Sequence, residues 1–446
     1  MRTIMLRTMR VAVVAVFFVI TLTAWAQAAA LGQRAVLPNG LVLLVSEQRT
    51  VPTVAIRLLL RTGSMADPSD KAGLANLTGV LLSQGTATRT APQISEAVEF
   101  LGASLDVAVG LETTVITLTI LSKDLEVGLD LLADVVRNPA FRAEDVTRKI
   151  AEVQAGIQRD QEDPGTVSGQ AFMRLLYGTH SLGTPLEGTL ASVAALTRDD
   201  VVQFHRRHYR PDQAVLAVVG DVGATELRQR IEARFGAWQS SGPAEPLTSA
   251  TPVIAKTAIR AIQKTVTQAN INLGGVGIRR DNPDYYAVQV MNYLLGGAFS
   301  SYLIATIRDQ KGWAYDVSSD FSSRKYNGEF AIAMQTKNEV ADQAIAAALE
   351  QVRRMRDTPV DAAALKDAQA YLTGSFPLLV DTNAKIASWL ASIEYFGLGL
   401  DYVDRYPGLI NAVTVADVQR VAQKYLDAEK YILAVVADLK VAKISE

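Results

Sequence analysis

The chain has 446 residues, 49% hydrophobic and 20% charged, with 44 Lys and Arg against 46 Asp and Glu. It has no cysteine and three histidines, which excludes disulfide scaffolds, thiolate metal sites and cysteine nucleophiles and leaves little for an imidazole cluster. The even charge offers no basic excess for nucleic acid, and the length calls for two or more domains.

Arg2, Arg7 and Arg10 precede an apolar run, 11–22, and Ala24-Trp25-Ala26-Gln27-Ala28 follows with an A-x-A cleavage signal. This predicts a secretory signal peptide over 1–28, too short in its apolar part to be a membrane span. No cysteine stands at the cleavage site for a lipid anchor, and no later stretch is long and apolar enough to span a bilayer. The expectation is an exported, periplasmic bacterial protein without a membrane span after signal cleavage.

Residues 54–61 read as a strand, and 72–82 and 93–101 as helices. Leu105, Val107 and Val109 alternate, as do Ile116, Leu118 and Ile120, which predicts two half-buried strands that pair. A helix is expected over 124–136, ended by Asn138-Pro139. Val146, Ile150, Val153 and Ile157 then mark the apolar stripe of a long amphipathic helix.

The sequence from Thr197 repeats without a gap from Thr414, a shift of 217 residues. Thr197, Asp200, Val201, Leu216, Ala217, Val218, Val219 and Asp221 all recur, and each copy reads as an N-capped amphipathic helix, a turn and a buried strand. A second echo joins 55–62 to 270–279, strand-like runs each followed by a proline turn and an apolar helix. The expected architecture is α+β: two duplicated domains related by pseudo-twofold symmetry, each a mixed, mostly antiparallel sheet with helices packed on it. The domains are placed at 29–240 and 253–446, joined by a Ser-, Pro- and Ala-rich linker at 241–252.

Most catalytic motifs are absent: there is no Walker A loop, no G-x-G-x-x-G after a strand, no G-x-S-x-G elbow and no H-E-x-x-H. Gly296-Gly297 reads as a helix stop. Ser322 to Lys325 spells S-x-x-K, but Tyr326-Asn327-Gly328 follows, and Asn-Gly between strand-like runs signals a hairpin. His205 and His208 are three apart, yet Arg206, Arg207 and Arg210 surround them, so a solvated basic helix face is expected. His180 reads as a structural loop residue.

The segment GLANLTGVLLSQGT, residues 73–86, resembles the metal-binding helix of the insulinase/pitrilysin zinc peptidases, the inverzincin group that includes the mitochondrial processing peptidase. LYGTHSLGTPLEGT, HYRPDQAVLAVVGDV and LLGGAFSSYLIATIRDQKGWAYDVSS extend the resemblance over essentially the whole mature chain. In that family the helix carries H-x-x-E-H, two His holding Zn²⁺ and a Glu activating water. Here Asn76 and Val80 stand at the His positions and Gly79 at the general base. The third-ligand position falls by spacing at Gly156, with Lys149 in place of a second acidic residue. The resemblance thus implies a chain with no zinc or other cofactor of its own and no catalytic residues.

The same resemblance gives Arg308 and Tyr315 a role. In the family an Arg and a Tyr at this spacing reach from the C-terminal half to grip substrate; spacing alone would equally suit an Arg at a helix end and a Tyr under a sheet. The implied function is the non-catalytic, substrate-binding subunit of a heterodimeric periplasmic zinc metallopeptidase. Its partners would be a homologous H-x-x-E-H-bearing subunit, which would hold the zinc, and unfolded peptides. The alternative is a peptide-binding scaffold, a homodimer with no enzyme partner.

Overall fold

The structure, a computed structural model, describes residues 31–249 and 252–444; the expected signal peptide lies outside the described residues. The first sheet is built from β1 (Gln33–Val36), β2 (Val42–Glu47), β3 (Thr53–Leu60), β4 (Ser104–Val109), β5 (Thr114–Leu121) and β6 (Ala214–Gly220). The second holds β7 (Ala258–Gln263), β8 (Gln268–Val276), β9 (Ala314–Ser323), β10 (Gly328–Lys337) and β11 (Ile432–Ala437). Their strand orders are β1-β2-β6-β3-β5-β4 and β7-β11-β8-β10-β9. With β1 set aside, the two orders correspond strand for strand. In each sheet one pair is parallel, β2 with β6 and β7 with β11, and the other pairs are antiparallel. The duplicated α+β architecture is therefore what the chain adopts.

The local signals explain the elements. The two repeated helices, Arg198–His208 and Val415–Tyr425, start at reciprocal capping boxes, Thr197 with Asp200 and Thr414 with Asp417. The alternating strands pair as expected, Leu105 opposite Leu118 and Val107 opposite Ile116. The stripe from Val146 to Ile157 lies on the helix Ala143–Glu162. Asn327-Gly328 closes the β9–β10 hairpin.

The central strands β6 and β11 are buried at every position. One face of each sheet packs on helices of its own half. The other face is covered by a helix from the opposite half. Pro164–Tyr177 lies on β11, β8 and β7, and Asn383–Phe396 lies on β6, β3 and β2. Ile386, Ala387, Leu390 and Ala391 thus cover Leu44, Ala217 and Val219, while Phe172 and Leu176 cover Ile432 and Ala434. This reciprocal exchange is the reason both strands need unbroken apolar sequence rather than alternation.

A buried carboxylate fastens the halves at the hairpin tips. Glu112, between β4 and β5, accepts the backbone N–H groups of Lys325 at 3.0 Å and Tyr326 at 2.9 Å and the hydroxyl of Tyr395 at 2.9 Å. It joins the turn of one edge hairpin to the turn of the other, so β4 and β9 are held at fixed places beside the joint.

One expectation is corrected. Arg206 and Arg207 are exposed, but the imidazoles of the same helix do not lie on a solvated face. His205 Nε2 lies 2.8 Å from the Val136 carbonyl oxygen at the end of the helix Leu125–Arg137, and its ring packs against Tyr209 and Phe141. His208 packs against Phe204 at 4.4 Å. Burial pushes both imidazoles down to about 4, so both are neutral at neutral pH. Arg210 is also buried, paired with Asp212 at 2.6 Å and donating to the Gly242 carbonyl. The pattern misled because an imidazole ring can extend an apolar stripe where aromatic neighbours meet it.

Candidate functional site

The N-terminal half places Asn76, Gly79 and Val80 on the helix Leu74–Leu81. Its start is set by Gly73, at φ 94°, and by Asp67, whose carboxylate accepts the N–H groups of Gly73 at 2.9 Å and Ala75 at 2.8 Å. Burial raises the Asp67 carboxyl to about 7, against the opposing pull of those donors. Asn76 and Val80, four residues apart, share a face of the helix and are half-buried, whereas Gly79 is buried.

The geometry at Gly79 decides what this helix can carry. A Cβ there would sit 2.3 Å from Val109 Cγ2 and 3.6 Å from Val107 Cγ1, both on β4. The helix is pressed onto the edge strand, and Val80, Val107 and Val109 pack against the core. A glutamate could not occupy this position without displacing the Val109 side chain.

Gly156 lies on the neighbouring helix Ala143–Glu162, with open space where a side chain would start: the nearest atom to its Cβ position is Arg159 Nη2 at 3.8 Å. One turn away, Glu152 is held by Lys149 at 2.6 Å and Arg148 at 2.9 Å, and those hydrogen bonds keep its carboxyl below the usual range. Two cations around one carboxylate repel a third cation. Among the described residues no three His, Cys, Asp or Glu side chains converge on a point where they could hold a metal ion. Asn76, Gly79, Val80 and Gly156 between them offer one weak amide oxygen. These residues do not fit zinc.

The C-terminal half is built differently. The helix Tyr285–Asn292 runs into the π-helical turn Tyr293–Gly297, and Gly296 rests on β9: a Cβ there would lie 2.5 Å from Ser319 Oγ. Asn292 ties the same contact, donating to the Ser319 carbonyl at 3.0 Å and accepting from its hydroxyl at 2.7 Å. Gly296-Gly297 is therefore a place of close approach as well as a helix stop.

Arg308 lies on the second π-helical segment, Ile304–Gln310, which ends before Gly312 at φ 63°. Tyr315 is the second residue of β9 and is 79% exposed. The structure brings the two together, with Arg308 Cζ 5.9 Å from the Tyr315 ring centroid and 5.0 Å from that of Phe299. Among the described residues the Arg308 guanidinium forms no ion pair. It is held over aromatic faces, which leaves its N–H donors free for a ligand. Tyr315 adds a hydroxyl. Together they can donate hydrogen bonds to a peptide carbonyl.

The S-x-x-K residues form no comparable site. Ser322 bonds Asp320 at 2.7 Å, and the Lys325 amine donates to the Tyr395 carbonyl at 3.1 Å. Two residues of consequence carried weaker sequence signals. Phe299 lies in the run that carries the family resemblance but was given no role there, and Glu112 sits in the β4–β5 loop outside any motif.

Comparison with known proteins places the chain in a family. Residues 42–190 match the insulinase family (peptidase family M16), and residues 195–372 match the domain described as the peptidase M16 inactive domain. The chain is 32% identical over 288 residues to a Mycobacterium leprae protein named as an uncharacterized zinc protease, covering 64% of this chain and 65% of that protein, just under two thirds of its length. A Streptomyces coelicolor protein of the same description is 26% identical over 413 residues, covering 92% of this chain and 90% of that one. The crystal structure of a peptidase M16 inactive domain from Pseudomonas fluorescens superposes with a TM-score of 0.87 at 28% identity, covering 93% of this chain and all of that one. The chain belongs to the insulinase (M16) peptidase family, and its sequence contains no H-x-x-E-H.

Proposed function

We propose that this chain is the non-catalytic, substrate-binding subunit of an exported, periplasmic two-chain zinc metallopeptidase acting on unfolded peptides. The observation that carries the reading is the contrast between the two halves. The helix Leu74–Leu81 is packed against β4 and carries no metal-ligating side chain, while Tyr315 is exposed and half-buried Arg308 beside it has no ion-pair partner among the described residues. In this reading a homologous subunit with H-x-x-E-H supplies the zinc and performs the hydrolysis. Arg308 and Tyr315 hold the carbonyl of the bond to be cut and stabilise the negative charge that develops on its oxygen. The open side of β9, at the end of its sheet, suits an extended peptide that adds as a further strand.

The test is to express this chain with each H-x-x-E-H homologue from the same organism, purify any complex, and follow cleavage of a quenched fluorescent peptide. The expected result is a heterodimer whose activity far exceeds that of the homologue alone and is abolished by a chelator. Self-association of this chain, with no gain in the activity of any homologue, would overturn the two-chain reading and favour a peptide-binding homodimer.

A further inference from the structure

Phe299 is apolar and yet 80% exposed. It is not on a loose loop. The Ser301 N–H donates to the Ala298 carbonyl at 3.0 Å, closing a tight turn with Phe299 at its corner. On one side the turn is anchored by Gly296 against Ser319, and on the other by the buried Leu303 and Ile304. The ring is thus presented to solvent by a rigid support.

The core does not require this ring, most of which is open to solvent. Its neighbour is Arg308, whose guanidinium carbon lies 5.0 Å from the Phe299 centroid and whose other aromatic contact is Tyr315. A ring face steadies a guanidinium without occupying its N–H donors, which a carboxylate would do.

We propose that Phe299 is a positioning and specificity residue of the peptide site: it steadies Arg308 and gives a bulky apolar side chain of the bound peptide a surface to pack on. This rests on the reading of Arg308 and Tyr315 as a peptide grip and adds a preference to it. Extended peptides with an aromatic or branched aliphatic residue beside the gripped carbonyl bind best, and peptides with glycine there bind worst. An aromatic or aliphatic contact with an exposed ring accounts for about a tenfold difference in affinity.

The experiment is fluorescence anisotropy with the whole mature chain and short fluorescein-labelled Gly/Ser peptides that differ only in a central Phe, Leu or Gly. The wild type is expected to bind the Phe and Leu peptides about tenfold more tightly than the Gly peptide. Phe299→Ala abolishes that preference, Phe299→Leu retains most of it, and Arg308→Ala weakens all three peptides alike. An equal weakening of all three peptides with the preference intact would reduce Phe299 to steadying Arg308 and overturn its specificity role, and an unchanged thermal unfolding curve shows that Phe299→Ala folds. A preference that survives Phe299→Ala, while Arg308→Ala still weakens all peptides, overturns the role of Phe299 and leaves the grip standing. No binding of any peptide, or binding indifferent to Arg308→Ala, overturns both.

Discussion

The two halves of this molecule have the same sheet and repeat the same helix–strand unit, yet they treat their edge strands in opposite ways. In the first half a helix is pressed onto β4 through Gly79, and Val80, Val107 and Val109 pack there against the core. In the second half Gly296 approaches β9, but Phe299 and Tyr315 beside it are exposed, with Arg308 half-buried between their rings. A duplicated fold keeps its core wherever strands must pack and is free to change at the open edges. In the proposed reading one edge of this chain is wall and the other a surface for binding.

The joint between the halves is where the comparison can be broken most severely. Glu112→Ala would leave two backbone N–H groups and the Tyr395 hydroxyl without their buried acceptor, at a cost of about 4 kcal/mol. A urea-unfolding series should show that loss, and an unchanged midpoint would mean that the hairpins are held by packing alone.

Acid should separate the halves next. His205 sits in the first copy of the repeated helix, and the second copy has Ala422 there. An unfolded imidazole takes up its proton near 6.5, but buried His205 does so only near 4. The unfolded state therefore binds more protons across that window. The stability that goes with a neutral His205 is complete above about pH 6.5 and declines as pH falls towards 4, by on the order of 3 kcal/mol. His208 adds to the same trend. Denaturant midpoints measured between neutral pH and about pH 4.5 should fall for the wild type and fall less steeply for His205→Asn. Parallel slopes would show that the acid sensitivity arises elsewhere.

Gly79 and Gly156 should respond to alanine with opposite signs. Gly79→Ala forces a methyl group into Val109 and should destabilise by about 2 kcal/mol. Gly156→Ala meets open space inside a long helix and should stabilise by about 0.5–1 kcal/mol. Thermal unfolding of the two variants would show whether the site closed by packing or merely lost its ligands. The smallest effect should be the most symmetrical. Thr197→Ala and Thr414→Ala each remove the same capping box and should each cost about 1 kcal/mol.

Much of the fold was legible because its signals are local or repeated: capping boxes, alternation in β4 and β5, the Asn-Gly hairpin and the long stripe of Val146 to Ile157. The exchange of helices between the halves was not. Nothing in Pro164–Tyr177 or Asn383–Phe396 names the sheet each will cover, because an amphipathic stripe records that a face is buried and not against what. The loss of ligands at Asn76, Gly79, Val80 and Gly156 could be read from residue identity, but the collision at Gly79 needed the path of β4. His205 was misjudged because charged neighbours in sequence point away from it in space. Phe299 looked like any apolar residue until its exposure was known.

The central claim is that the C-terminal edge acts on a substrate that another chain's zinc cleaves. The most direct test is kcat/KM of the reconstituted pair with wild-type chain, Arg308→Ala and Tyr315→Phe, at equal complex concentration. A fall of about a hundredfold or more for Arg308→Ala and a smaller fall for Tyr315→Phe, with the heterodimer and its zinc content unchanged, is what the arrangement predicts. Full activity with Arg308→Ala would contradict it.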